Sequence, residues 1–162
     1  MRILSSLTVA AVCLGTAFAA GAVEQRPMLT DEMAIAMADA CEAEAIAQGW
    51  RPVNIAIFDA GGNLKHFKRM DGSFLGSIEI AHLKGHTAAI FPRSTRARGE
   101  LAYGGDRPHG IELVPGIVVF PGGLPIMAGD GHQVGGIGVS GATSDQDEQC
   151  AQAAIDAVAD RL

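Results

Sequence analysis

The chain has 162 residues, 18 acidic against 12 basic side chains, a formal net charge of −6 and only 5% aromatic residues. An acidic chain with few aromatics argues against a nucleic-acid partner, which selects basic surfaces. About 140 residues remain once a leader is set aside, enough for one domain with a sizeable core.

Residues 1–22 read as a signal peptide. Arg2 is a short positive start, Ile3 to Leu14 an apolar core, and Ala17-Phe18-Ala19 or Ala20-Gly21-Ala22 a small-x-small cleavage site. The apolar run is too short to span a bilayer, and Val12 before Cys13 lacks the small residue of a lipoprotein anchor. The expectation is a single exported domain over residues 23–162, periplasmic or secreted, beginning near Ala20 or Val23 and without membrane attachment after cleavage. Cys41 and Cys150 remain. An oxidising compartment makes a disulfide between them possible, while two buried thiols packing as small apolar side chains is the competing reading.

Thr30 is a helix cap, with Asp31 and Glu32 favourable in the first turn. Met33, Met37, Ala40, Cys41 and Ala45 form the apolar stripe, and Gly49 is the natural stop. The apolar run Val53 to Phe58 predicts a strand covered on both faces. Asp59-Ala60-Gly61-Gly62-Asn63 supplies a turn, and Leu64 to Gly72 returns with an imperfect alternation broken at Leu64 and Phe67. Gly76 to Ile90 predicts a helix ended by Pro92, with Ala81, Gly85 and Ala88 as a seam for close packing. Ser94 or Thr95 caps a short helix through Leu101, and a Gly-rich polar loop spans Tyr103 to Gly110. Ile117 to Phe120 predicts a strand. Leu124 to Ala128 and Gln133 to Val139, joined by Gly129-Asp130-Gly131-His132, predict a second hairpin. Ser144 caps the last helix with Asp147 three residues on, and Ala151, Ala154, Ile155 and Val158 form its buried face. The two hairpins and the helices around them give one α/β (α+β) domain on an antiparallel sheet, in the order α-β-β-α-α-β-β-β-α.

Gly136-Ile137-Gly138-Val139-Ser140-Gly141 matches a dinucleotide-binding pattern, but no second parallel strand and acidic residue follow before Leu162. Those glycines read instead as a close approach to another backbone. His82 and His86 lie four apart on one helix face with Glu79 a turn earlier, a spacing that suits a metal, and imidazole is the usual protein ligand of haem iron. The competing reading is a pair of ordinary surface histidines. His66, His109 and His132 lack ligand spacing. Lys84, Thr87, Arg93 and Thr95 surround the histidine pair in sequence and suit ligand carboxylates or hydrogen bonds. Asp59 and Asp147 read as structural residues, closing a turn and satisfying helix-end amides. No nucleophile-base constellation emerges from spacing, and Gly138-Val139-Ser140-Gly141 lacks the nucleophile-elbow pattern.

The blocks NIAIFDAGGNLKHFKRMDG, GGLPIM and VGGIGVSGATSDQDEQCAQAA resemble the GlcG/HbpS-like family, the haem-degrading or DUF336 domains, which include the C-terminal domain of the PduO corrinoid adenosyltransferase. The resemblance covers roughly Leu29 to Val158. It implies a profilin-like, five-stranded antiparallel sheet, a haem or other tetrapyrrole ligand, and a homo-oligomer whose interfaces take part in binding. The family's pattern fixes no single axial histidine; on sequence proximity His86 comes first as iron ligand, because Thr87 and Arg93 lie nearer to it, and His82 second, in a pocket also reached by Lys84, Thr87, Arg93 and Thr95. Three functions compete: a haem-binding protein, an enzyme acting on haem or another small molecule through iron chemistry, and a non-catalytic accessory or assembly protein.

Overall fold

The computed structural model describes residues 26–105 and 110–162. The expected signal peptide, Cys13 and His109 lie outside the described residues. No helix among those described is long and apolar enough to cross a membrane.

Four helices, α1 (Asp31–Ala47), α2 (Gly76–Ile90), α3 (Thr95–Tyr103) and α4 (Ser144–Asp156), surround the strands β1 (Asn54–Asp59), β2 (Leu64–Arg69), β3 (Gly123–Met127) and β4 (Gln133–Ser140). The sheet is antiparallel throughout, in the order β2-β1-β4-β3. Each hairpin thus contributes one central and one edge strand, and Pro125, which has no amide hydrogen to donate, sits on an edge.

The predicted fifth strand is absent. Residues 117–120 run irregularly, and the Val118 amide goes to a helix side chain rather than to a strand. The Thr87 hydroxyl accepts from Val118 N at 3.2 Å and donates to Gly116 O at 3.4 Å. Phe58 pairs with Leu64 after a register shift beyond Ile57, while Ala56 pairs with Phe67. That bulge is the origin of the broken alternation in β2.

Alternation in the two central strands divides the molecule. Ile55, Ile57, Ile137 and Val139 join Ile126, Met37, Cys41, Ala151 and Ala154 in the main core beneath α1 and α4. Ala56 and Phe58 point the other way, with Ala81 and Ala89 of α2. On that second face α2 lies almost backbone to backbone on β4. A Cβ at Gly138 would stand 2.1 Å from Gly85 N, and one at Gly136 2.4 Å from Ala89 N. The small-residue seam of α2 is therefore consumed within the chain, and the dinucleotide-like glycines serve close approach.

Helix ends follow their caps. The side chains of Thr30 and Ser94 accept from Met33 N and Ala97 N. In α4 the cap falls one residue earlier than expected: Thr143 and Gln146 form the reciprocal capping box, leaving Asp147 to turn inward. Cys41 and Cys150 are joined in a disulfide between α1 and α4, with Cα atoms 4.7 Å apart.

Candidate functional site

Helix α2 lays His82 and His86 side by side over the β1–β2 hairpin. The Phe58 ring meets both edge-on, with centroids 5.9 Å from His82 and 5.7 Å from His86, and Phe67 lies 4.9 Å from His82. Leu64 is the strand partner of Phe58, and Ile90 packs at the hairpin turn. There Gly62 has φ of 75°, and a Cβ on it would lie 3.1 Å from Ile90 Cγ2 and 3.5 Å from His86 Nε2. Turn and helix meet closely because this position is glycine. The turn itself is closed by Asp59, whose Oδ1 accepts from Gly61 N at 2.8 Å and Asn63 N at 3.0 Å. Both imidazoles are half-buried, and among the described residues neither forms a hydrogen bond. The result is an apolar floor carrying two imidazoles whose nitrogens have no partner among the described residues.

Lys84 leaves this face. Its side chain is 1% exposed and reaches the C-terminal end of β4, where Nζ donates to Asp147 Oδ2 at 2.8 Å and to Val139 O at 2.9 Å. The ammonium also lies 5.0 Å from the centroid of Phe120. Burial pushes Lys84 below its ordinary pKa and Asp147 above its own, with their mutual attraction opposing both shifts. Asp147 Oδ1 accepts from Ala142 N at 3.0 Å, so one carboxylate holds a lysine of α2 and the amides before α4.

The remaining residues expected around the histidines are dispersed. Thr87 holds the 116–118 segment, and the Thr95 hydroxyl accepts from Gly123 N at 2.9 Å. Arg93 lines a cleft of about 410 Å³ with Pro125, Met127 and Ile155, which contains neither histidine. A neighbouring cleft of about 440 Å³ is lined by Arg96, Asp145 and Glu148, and Arg96 is ion-paired to both acids. His66 pairs with Ile57 and faces α1, as does Lys68, which bonds Asp39 and Glu42 of that helix. His132 stands beside Asp130 in the exposed β3–β4 turn, with Nδ1 3.1 Å from Oδ1. Among the described residues no three His, Cys, Asp or Glu side chains converge to enclose a metal ion.

Residues 29–156 match the family described as Haem degrading protein HbpS-like. The chain belongs to the HbpS-like family. It is 35% identical over 135 residues to an uncharacterised 15.0 kDa protein of the dhaT-dhaS intergenic region of Citrobacter freundii, covering 82% of this chain and 94% of that one. A crystal structure of HbpS superimposes with a TM-score of 0.74 at 34% identity, covering 84% of this chain and 94% of HbpS. The crystal structure of a PduOC:heme complex superimposes with a TM-score of 0.74 at 31% identity, covering 81% and 95% of the two chains.

Sequence reasoning found the histidine pair of this HbpS-like chain but missed its floor. Phe67 carried a signal, since it breaks the alternation of its strand, whereas Phe58 lies in a run that is apolar throughout. The pairing of Lys84 with Asp147, 63 residues apart in the chain, had none.

Proposed function

We propose that this is an exported haem-binding protein in which His86 is the axial ligand to iron and His82 the second candidate. The observation that carries the reading is the pair of unpartnered imidazoles above the rings of Phe58 and Phe67. A porphyrin brings its own four equatorial nitrogens, so one imidazole and a flat apolar surface meet its first needs. Side chains one helical turn apart project the same way, so the two histidines cannot take opposite faces of one haem within a subunit. His82 is wedged against two phenylalanine rings and His86 against one, which favours His86. The PduOC structure, a complex with haem on the same fold, supports the ligand class.

Lys84, Thr87 and Thr95 hold the fold together, and we assign them no ligand contact. Bound haem would supply the redox chemistry of iron; the chain's own part is to ligate, to shield the iron from water and to hold the ring. Export and assembly into a homo-oligomer belong to the same reading. Large apolar side chains left exposed at Tyr103, Leu113 and Val114 suit the latter.

Titration of the mature protein with haemin, followed in the Soret region, tests the proposal. A saturable shifted band is the expected result, and a spectrum that remains that of free haemin contradicts it. Adding a reductant and oxygen to the complex then separates binding from degradation: a persistent Soret band marks a binding protein, its loss an enzyme.

A further inference from the structure

A second unsatisfied group lies away from the histidines. Arg98, on α3, is only 7% exposed, yet no carboxylate pairs with it and it forms no hydrogen bond among the described residues. Its Nε is sealed from solvent without a partner, whereas neither terminal nitrogen is sealed. The guanidinium carbon sits 4.1 Å from the centroid of the Phe91 ring, which fixes the plane of the fork. Arg93 acts on Arg98 as a like charge, and burial and that repulsion both push its pKa down. An arginine stays charged in a protein, so burial beside a second cation is unfavourable until an anion joins it.

The support around Arg98 is rigid. A Cβ at Gly99 would lie 2.1 Å from Val119 O, so α3 is seated directly on the 117–120 segment. Ser94 caps the helix and Thr95 ties its start to β3. The guanidinium is thus held in place rather than carried on a mobile side chain, as a binding group requires.

We propose that Arg98, plated on the Phe91 ring, is the receptor for a small carboxylate. A planar two-oxygen anion matches a guanidinium fork, whose two terminal nitrogens can donate in parallel. The site uses none of the residues assigned to haem and stands independently of that reading.

Acetate, titrated into the mature protein at constant ionic strength against chloride, is the probe, read by the Nε–Hε resonance of Arg98 and by melting temperature. The expected result is a saturable millimolar shift of that resonance and a rise in melting temperature, both absent in Arg98→Gln. Arg98→Lys keeps the charge but loses the fork and should bind about tenfold more weakly. It also serves as the test variant should the glutamine form not fold. His86→Ala should leave the acetate response unchanged. No response in the native chain, or an equal response to chloride, overturns the proposal. So does a resonance that moves with protein concentration but not with acetate, since the carboxylate would then come from a second copy of the chain.

Discussion

Lys84 Nζ lies 2.8 Å from Asp147 Oδ2 beside the end of β4, and both side chains are almost wholly buried. The pair joins α2, which carries the histidines, to the start of α4, which is anchored through the disulfide to α1. The position of the candidate site relative to the main core therefore depends on an ion pair that no solvent screens.

Removing one partner leaves the other charge buried and unpaired. Lys84→Met or Asp147→Asn should each lower the free energy of unfolding by about 3–5 kcal/mol. Replacing both with apolar residues should cost clearly less than the sum of the single changes. A double-mutant cycle by urea unfolding checks this, and additive single effects would count against a direct pair.

The backbone contact between α2 and β4 makes a sharper prediction. A Cβ at Gly138 would fall 2.1 Å from Gly85 N and 2.2 Å from Ala81 O, so Gly138→Ala must push the helix off the sheet. The expected loss is about 3 kcal/mol or more. At Gly129, where the nearest atom to a new Cβ is 3.9 Å away, alanine should change stability by less than about 1 kcal/mol. Thermal unfolding of the two variants distinguishes them.

The disulfide closes most of the chain, since its cysteines are 109 residues apart. Protein prepared in an oxidising compartment and unfolded without reductant should show no titratable thiol at Cys41 or Cys150. The Cys41→Ser, Cys150→Ser variant should be less stable by about 2–5 kcal/mol. Two free thiols in the oxidised preparation would contradict the bond.

Much of the fold was legible because local chemistry fixed it. Thr30, the Asp59 turn and the glycine-led hairpin at Gly129–His132 each set a backbone conformation from a few neighbouring residues. What was not legible depended on distant partners. Ile117 to Phe120 has the composition of a strand, but Thr87 takes the Val118 amide. Ser144 and Thr143 are both good caps; Thr143 takes that role, and Asp147 satisfies the Ala142 amide as expected while its other oxygen reaches Lys84. Within the site, helical spacing brought His82 and His86 together, whereas Lys84 and Arg93, close to them in sequence, stand apart from them in the fold. Lys84 turns to the other side of its helix, and Arg93 follows the break at Pro92 to a different cleft.

The central claim is tested most directly by haemin titration of His86→Ala beside His82→Ala and His66→Ala, with Soret position and affinity as the readout. His86→Ala should displace the Soret band and weaken binding by about tenfold or more, and His82→Ala should have a smaller effect. His66→Ala, on the opposite face of the sheet, should match the native protein. Native spectra and affinity in both His86→Ala and His82→Ala would contradict the account.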